Sequence, residues 1–286
     1  MCSYVEALQS TALALNLAFM SPLAGTRALE GVIITGGKGT RMRSITYVLP
    51  KPLLPLFSFN SDGRRYVKPF IDFILERFEA LGLDPVTLVF SRNSSLIIDY
   101  LGSRGPLRLR LRLVLDAEMR GYGNAALLAR SSVTGPFVLN ADDNILPLED
   151  YRAGVELFEA EGPDAVLFVH RVEDPTRYGV IAPSSQGEFR GYRTYGVRGV
   201  FEKPSEPPSD LAMAAIYVMS PRVFRALEEV KASKGEGEEI ELVEGLQRLI
   251  EEGGNVMALE LRRRWVSVGR PEDYLEAIRL SYEAGL

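Results

Sequence analysis

Apolar and polar residues alternate along the chain in two textures. From residue 31 to about 172, short uniformly apolar runs at 31–35, 86–90, 111–115, 137–140 and 165–172 predict strands buried on both faces. Between them lie stretches of helical spacing. The first, over 70–81, sets Phe70, Ile74, Phe78 and Leu81 on one side, and 95–101, 123–130 and 151–159 follow it. Strand and helix in alternation predict an α/β fold: a Rossmann-like, mostly parallel sheet with helices on both faces. From Tyr178 the texture changes, with Gly and Pro breaking up strand-like runs at 178–182, 199–203 and 213–219. Helices at 222–230 and 240–251, strands at 255–261 and 265–268, and a last helix at 272–284 complete the reading. The Gly-, Glu- and Lys-rich run 231–239 reads as a solvated loop. The second half is expected to cap the carboxyl edge of the sheet, where open α/β sheets bind ligands.

The chain has 286 residues and a net charge of −5, with ordinary globular composition. It offers no general field for nucleic acid, so any polyanion must be held by a local cluster of cations. Cys2 is the only cysteine and His170 the only histidine, which excludes an intrachain disulfide and a thiolate zinc cage. His170 lies in a strand-like run and reads as structural. Chemistry must therefore come from carboxylates, lysines, arginines and backbone amides. Residues 4–24 are apolar but lack a basic segment before them, and Gln9, Asn16 and Pro22 interrupt them, so neither an export signal nor a membrane span is expected. Residues 1–30 read as an N-terminal extension, Met20 being an alternative start, and 31–286 as one domain. A cytoplasmic protein is expected, with no nucleic-acid or membrane partner and with homo-oligomerisation left open.

The most informative stretch is VIITGGKGTRMRSITYVLPKPLLP, residues 32–55. A strand runs into Gly36, Gly37 and Gly39, then Thr40 and Arg41. Glycines after a parallel strand let backbone amides approach a phosphate. The P-loop spacing fails because Lys38 precedes Gly39, and the dinucleotide spacing fails at Met42. Arg41, Arg43 and Lys51 add cations, and Lys51 sits between Pro50 and Pro52, which stiffen its backbone.

This stretch resembles the sugar nucleotidyltransferases, whose signature is a GGxGTRL loop followed by PKP. Ser44 stands where the family's proline is usual. The resemblance continues in order to the end of the chain. GYGNA from Gly121 is similar to the family's GTAxA turn near the base, with Tyr122 for Thr. FVLNADD from Phe137 places Asp142 at the metal-binding aspartate. Tyr178 and Gly179 fall in a sugar-pocket segment, Glu202-Lys203-Pro204 matches the EKP motif, and WVSVGRPED from Trp265 matches WxDIGTPED.

The resemblance implies the nucleotide-diphospho-sugar transferase fold and transfer of a nucleotidyl group from an NTP to a sugar 1-phosphate. It implies Arg41 and Lys51 on the triphosphate, Lys203 on the sugar phosphate, and Mg²⁺ on Asp142. It also implies nucleotide contacts at Gly36, Gly37, Gly39, Thr40, Asp116 and Gly121, and sugar contacts at Tyr178, Gly179 and Glu202. Asp116 aligns with a base-contacting Gln and hints at guanine, with Glu118 an equal acceptor. Trp265 reads as core and Lys38 as solvated.

Departures cluster on metal and sugar contacts. Ser267 replaces a second metal aspartate, Arg270 a threonine, Met213 an asparagine and Ala215 a glycine. Asp143 could serve instead of Ser267 only if the strand has ended before it, since neighbouring strand residues face opposite ways. These losses leave a binding relative with little catalysis as the alternative to an active enzyme.

Overall fold

The computed structural model describes residues 29–36, 41–42, 45–263, 265–284 and 286. The expected extension up to residue 28, with Cys2 and Met20, lies outside the described residues, as do Gly37, Lys38, Gly39, Thr40, Arg43 and Ser44. In chain order the elements are β1 (Glu30–Thr35), β2 (Pro55–Phe59), β3 (Arg65–Pro69), α1 (Phe70–Leu81), β4 (Val86–Ser91), α2 (Ser95–Ser103), β5 (Leu111–Asp116), α3 (Tyr122–Leu128), β6 (Phe137–Ala141), β7 (Asn144–Ile145) and α4 (Leu148–Glu161). Then come β8 (Ala165–Arg171), β9 (Gly179–Phe189), β10 (Tyr192–Glu202), β11 (Leu211–Met219), α5 (Arg222–Ser233), α6 (Leu242–Glu251), β12 (Val256–Glu260), β13 (Val266–Ser267) and α7 (Pro271–Ala284).

Nine strands form one sheet in the order β5-β4-β1-β6-β11-β8-β12-β10-β9. β5, β4, β1 and β6 are mutually parallel, as are β8 and β12, and only β10 and β11 run against the rest. The sheet is thus mostly parallel, as the periodicity predicts. β1 is buried along its whole length, which explains its unbroken apolar run. Its one charged residue, Glu30, accepts bonds from the Thr134 amide and hydroxyl at 2.7 Å and the Gly135 amide at 3.1 Å, and pairs with Arg112. A buried carboxylate is tolerated there because its lone pairs are taken.

Helices form where the spacing predicts them. α1 buries Phe70, Ile74 and Phe78 and stops at Gly82, whose φ of 70° is open to glycine at little cost. α4 begins earlier than the pattern suggests, at Leu148, where the Pro147 carbonyl accepts the amides of Asp150 at 3.1 Å and Tyr151 at 3.3 Å and opens the helix. α5 runs on to Ser233, so the start of the expected 231–239 loop is helical.

Two pairings were not legible. β2 and β3 make a separate hairpin under α7. β9 and β10 are far longer than the short runs expected at 178–182 and 199–203. They are joined by Arg190 and Gly191 at φ 49° and 79°, the both-positive pattern of a tight hairpin turn. The outer part of β9 is an exposed edge with polar residues, so hydrophobic alternation could not reveal it. Thr194 of β10 pairs with Leu259 near the carboxyl end of β12, while Val180 of β9 pairs with Ala212 of β11. Both ends of the hairpin therefore reach the carboxyl edge, and register shifts at Gly196–Val197 and Val197–Gly199 supply the bend. The second half both lengthens the sheet and walls its carboxyl edge.

Candidate active site

β6 ends at Ala141, and Asp142 and Asp143 occupy the turn before β7. The strand has ended, so the facing rule no longer separates the two carboxyls. Asn140 holds this turn: its Nδ2 donates to the carbonyls of Ala141 at 2.7 Å and Asn144 at 2.8 Å, while its Oδ1 accepts from the Tyr151 hydroxyl on α4. The Asp142 amide donates to the Ile34 carbonyl on β1 at 3.2 Å. The Asp142 carboxyl accepts a bond from the Gly36 amide. Burial, and next the charge of Asp143, push the Asp142 carboxyl up despite that bond and despite Lys51.

Lys51 lies in a short turn fixed by its flanking prolines, with the Leu54 amide returning to its carbonyl at 3.0 Å. Its Nζ lies 2.7 Å from Asp143 Oδ2, and both side chains are largely shielded from solvent. Burial opposes the ammonium charge, but Asp143 and then Asp142 outweigh it and hold Lys51 above the ordinary lysine range. Arg41 is close enough to oppose that shift. Asp143 Oδ1 accepts from Asn144 Nδ2 at 2.7 Å, which fixes the other side of the carboxylate.

β13 pairs with β7, setting Ser267 opposite Asn144. A Cβ on Gly269 would lie 3.3 Å from both Ser267 Oγ and Asp143 Oδ2, so the hydroxyl and the carboxylate share one corner. Asp143 thus brings a carboxylate to the place where Ser267 lacks one. Among the described residues no group of three or more His, Cys, Asp or Glu forms a metal cluster. A half-buried carboxyl beside a second carboxylate fits Mg²⁺, which needs only one or two carboxylates plus phosphate oxygens.

These groups border a cleft of about 1020 Å³ lined by Arg41, Asp143, Tyr178, Gly179, Glu202 and Lys203, among others. Lys51 and Asp142 do not themselves line it: Lys51 is tied to it by its ion pair with Asp143, and Asp142 adjoins Asp143 in the same turn. At the far end, the Lys203 amide donates to the Tyr178 carbonyl at 3.0 Å, joining the two sugar-segment motifs. Lys203 has a φ of 43°, a conformation most side chains avoid. Its Nζ is ion-paired with Glu202, and both are partly exposed. Trp265 is only 8% exposed and belongs to the core, yet its ring also faces the cleft. It makes edge contacts with Tyr178 at 5.8 Å and His170 at 6.0 Å, so His170 acts as packing.

Asp116 and Gly121 do not line this cleft. Asp116 is 6% exposed and its Oδ1 accepts the amides of Glu118 at 3.3 Å and Met119 at 2.9 Å. Gly121 has a φ of 93°, and a Cβ there would meet the Ile240 carbonyl oxygen at 2.6 Å. A Cβ on Gly123 would meet the Glu241 carbonyl carbon at 2.7 Å. These glycines let α3 press onto the backbone that leads into α6, a packing need visible without any ligand.

Sequence reasoning missed Asn140 and Tyr151. Asn140 stands inside an apolar strand, and a buried Asn there is itself a signal that a carbonyl must be held.

An open, mostly parallel sheet with cations and paired carboxylates at its carboxyl rim defines a phosphate-handling α/β protein. The chain belongs to the nucleotidyl transferase family, which it matches over residues 30–283. It is 30% identical over 258 residues to a low-salt glycan biosynthesis nucleotidyltransferase of Haloferax volcanii, covering 89% of this chain and 66% of that one. It is 28% identical over 254 residues to a UTP–glucose-1-phosphate uridylyltransferase of the same organism, covering 87% of this chain and 95% of the relative. The chain spans just under two thirds of the length of several curated relatives, the glycan-biosynthesis protein among them. A crystal structure of UDP-glucose pyrophosphorylase complexed with UDP-glucose shares the fold, with a TM-score of 0.76, 23% identity and coverage of 90% of this chain and 99% of that one. Among the described residues no helix is long and apolar enough to cross a membrane.

Proposed function

We propose that the chain transfers a nucleotidyl group from an NTP to a sugar 1-phosphate, giving an NDP-sugar and pyrophosphate. The observation that carries this reading is one cleft with cations at both ends. Arg41 and the Lys51–Asp143 pair stand at the sheet end, and Lys203 stands across the cleft beside Tyr178 and Gly179. Two polyanions repel, so a site that joins them must neutralise charge and align them rather than supply a base.

In this reading an oxygen of the sugar phosphate attacks the α-phosphorus. A new P–O bond forms, the bond from the α-phosphorus to the bridging oxygen breaks, and pyrophosphate leaves with the electron pair. The attacking oxygen is already anionic, so the scarcity of histidine is no obstacle. Arg41 forks onto phosphate oxygens. Lys51, held by Asp143, offers its charge next to the α-phosphate. Lys203 releases Glu202 and takes the sugar phosphate, while Glu202, Tyr178 and Gly179 border the sugar. Gly36, Gly37, Gly39 and Thr40 line the triphosphate. Asp142 and Asp143 would hold Mg²⁺, which supplies positive charge to phosphate oxygens when bound. Asp116 and Gly121 are assigned to the base end of the site, outside the large cleft.

The carboxylate of Asp143 beside Ser267 weighs against a catalytically silent relative, because the pair of anionic ligands is retained. Pyrophosphate release should require an NTP, a sugar 1-phosphate and Mg²⁺ together, and stop with a chelator. A screen of the common NTPs against glucose, mannose and galactose 1-phosphates tests it. Saturable nucleotide binding without turnover for any pair would overturn the reading.

A further inference from the structure

β11 does not run straight past the cleft. Its pairing with β8 breaks between Met213 and Tyr217, and Ala215 inside the break has a φ of 55°. Such a bulge re-aims side chains, and here Met213, Ala214 and Ala215 all line the cleft. Met213 is only 6% exposed, so its thioether is built into the wall rather than waving in solvent.

Facing it is Gly179, with no side chain of its own. A Cβ placed on Gly179 would lie 2.6 Å from Met213 Cε and 3.1 Å from Glu202 Oε2. The methyl of Met213 therefore occupies the floor that Gly179 leaves open, beside the Glu202 carboxylate. Tyr178 and Trp265, packed edge to face, line the same cleft. The sugar end is thus divided. Glu202 and Lys203 offer charge and hydrogen bonds, and the Met213 methyl lies next to that carboxylate as an apolar spot in the wall.

A thioether donates no hydrogen bond and accepts only weakly. A ring hydroxyl set against it would leave water without gaining a partner, whereas a methyl or methylene there would be favoured. We propose that this site takes a deoxy sugar 1-phosphate, and that Met213 reads the missing hydroxyl. The proposal deepens the transferase reading above and rests on it.

The test is a substrate series with the unaltered protein and Mg²⁺. Glucose, mannose and galactose 1-phosphates are compared with their monodeoxy analogues by kcat/KM for pyrophosphate release. One deoxy position should be preferred over its parent by about tenfold or more, the scale set by one unpaired buried hydroxyl. Met213→Asn should erase or invert that preference at that ring position alone, while Met213→Leu, apolar and of similar volume, should keep it. If every parent hexose is used as well as or better than all of its deoxy analogues, the proposal is wrong whatever the variants do. If no sugar 1-phosphate of either kind releases pyrophosphate while the folded protein binds nucleotide, the transferase reading has failed and this one falls with it. The wild-type series decides the matter even if Met213→Asn does not fold.

Discussion

The two ends of the cleft are built by different means. At the end proposed for phosphate, β5, β4, β1 and β6 are all parallel, and Asp142 and Asp143 sit on a strand-end turn locked by backbone bonds. At the sugar end, strands alternate in direction, a bulge and a bent hairpin shape the wall, and two non-glycine residues, Lys203 and Ala215, hold positive φ. Departures from the family pattern fall at both ends: Ser267 and Arg270 beside Asp143 at the first, Met213 and Ala215 on the bulge at the second. Backbone geometry at parallel strand ends is reproduced by any sequence that folds this way, so the Asp142–Asp143 turn keeps its place even where Ser267 replaces a carboxylate. Individual side chains on a bulge can change without disturbing the sheet, so the wall at Met213 and Ala215 is free to vary.

The comparison breaks first at Lys51. Lys51→Met removes a positioned cation and leaves Asp143 unpaired, so kcat/KM for pyrophosphate release should fall about a thousandfold or more. A loss of less than about tenfold would take Lys51 out of the reaction. Lys203→Met should cost about a hundredfold, read mainly as a raised KM for the sugar 1-phosphate with the NTP little affected. Equal rises for both substrates would dissolve the distinction between the two ends.

Stability measurements sharpen the same contrast. Asn140→Ala strands the carbonyls of Ala141 and Asn144 and the Tyr151 hydroxyl inside the core, so denaturant unfolding should show a loss of about 2–3 kcal/mol. The Mg²⁺ concentration needed for half-maximal rate should also rise, since the turn bearing both aspartates loses its tie. The smallest effect is expected at Ala215→Gly. Relief of left-handed strain, worth about 1–2 kcal/mol, is partly offset by the greater freedom of glycine in the unfolded chain, about 0.4–1 kcal/mol. A net gain near or below about 1 kcal/mol should appear in thermal unfolding, and a clear loss would show that the bulge needs the alanine methyl for packing.

Much of this was legible because it is local. Alternation of period exposed the parallel strands and their helices, and two prolines flagged Lys51, whose turn they hold. Less was legible where partners are distant. Lys51 and Asp143 are 92 residues apart, and the value of Asp143 depended on where β6 ends, a boundary that periodicity places only loosely. Gly121 and Gly123 read as ligand turns, yet the backbone of Ile240 and Glu241 is what forbids them a side chain. The edge part of β9 had no buried face to announce it.

By itself, the amino-acid order determined the α/β class, because that follows from nearest-neighbour periodicity, and its resemblance to a known family singled out the candidate cations. Only the tertiary structure decided that Asp143 stands beside Ser267, that Asn140 clamps the aspartate turn and that Met213 fills the space over Gly179. Each of those depends on which distant backbone a side chain meets, and that is set by how the whole sheet bends and packs.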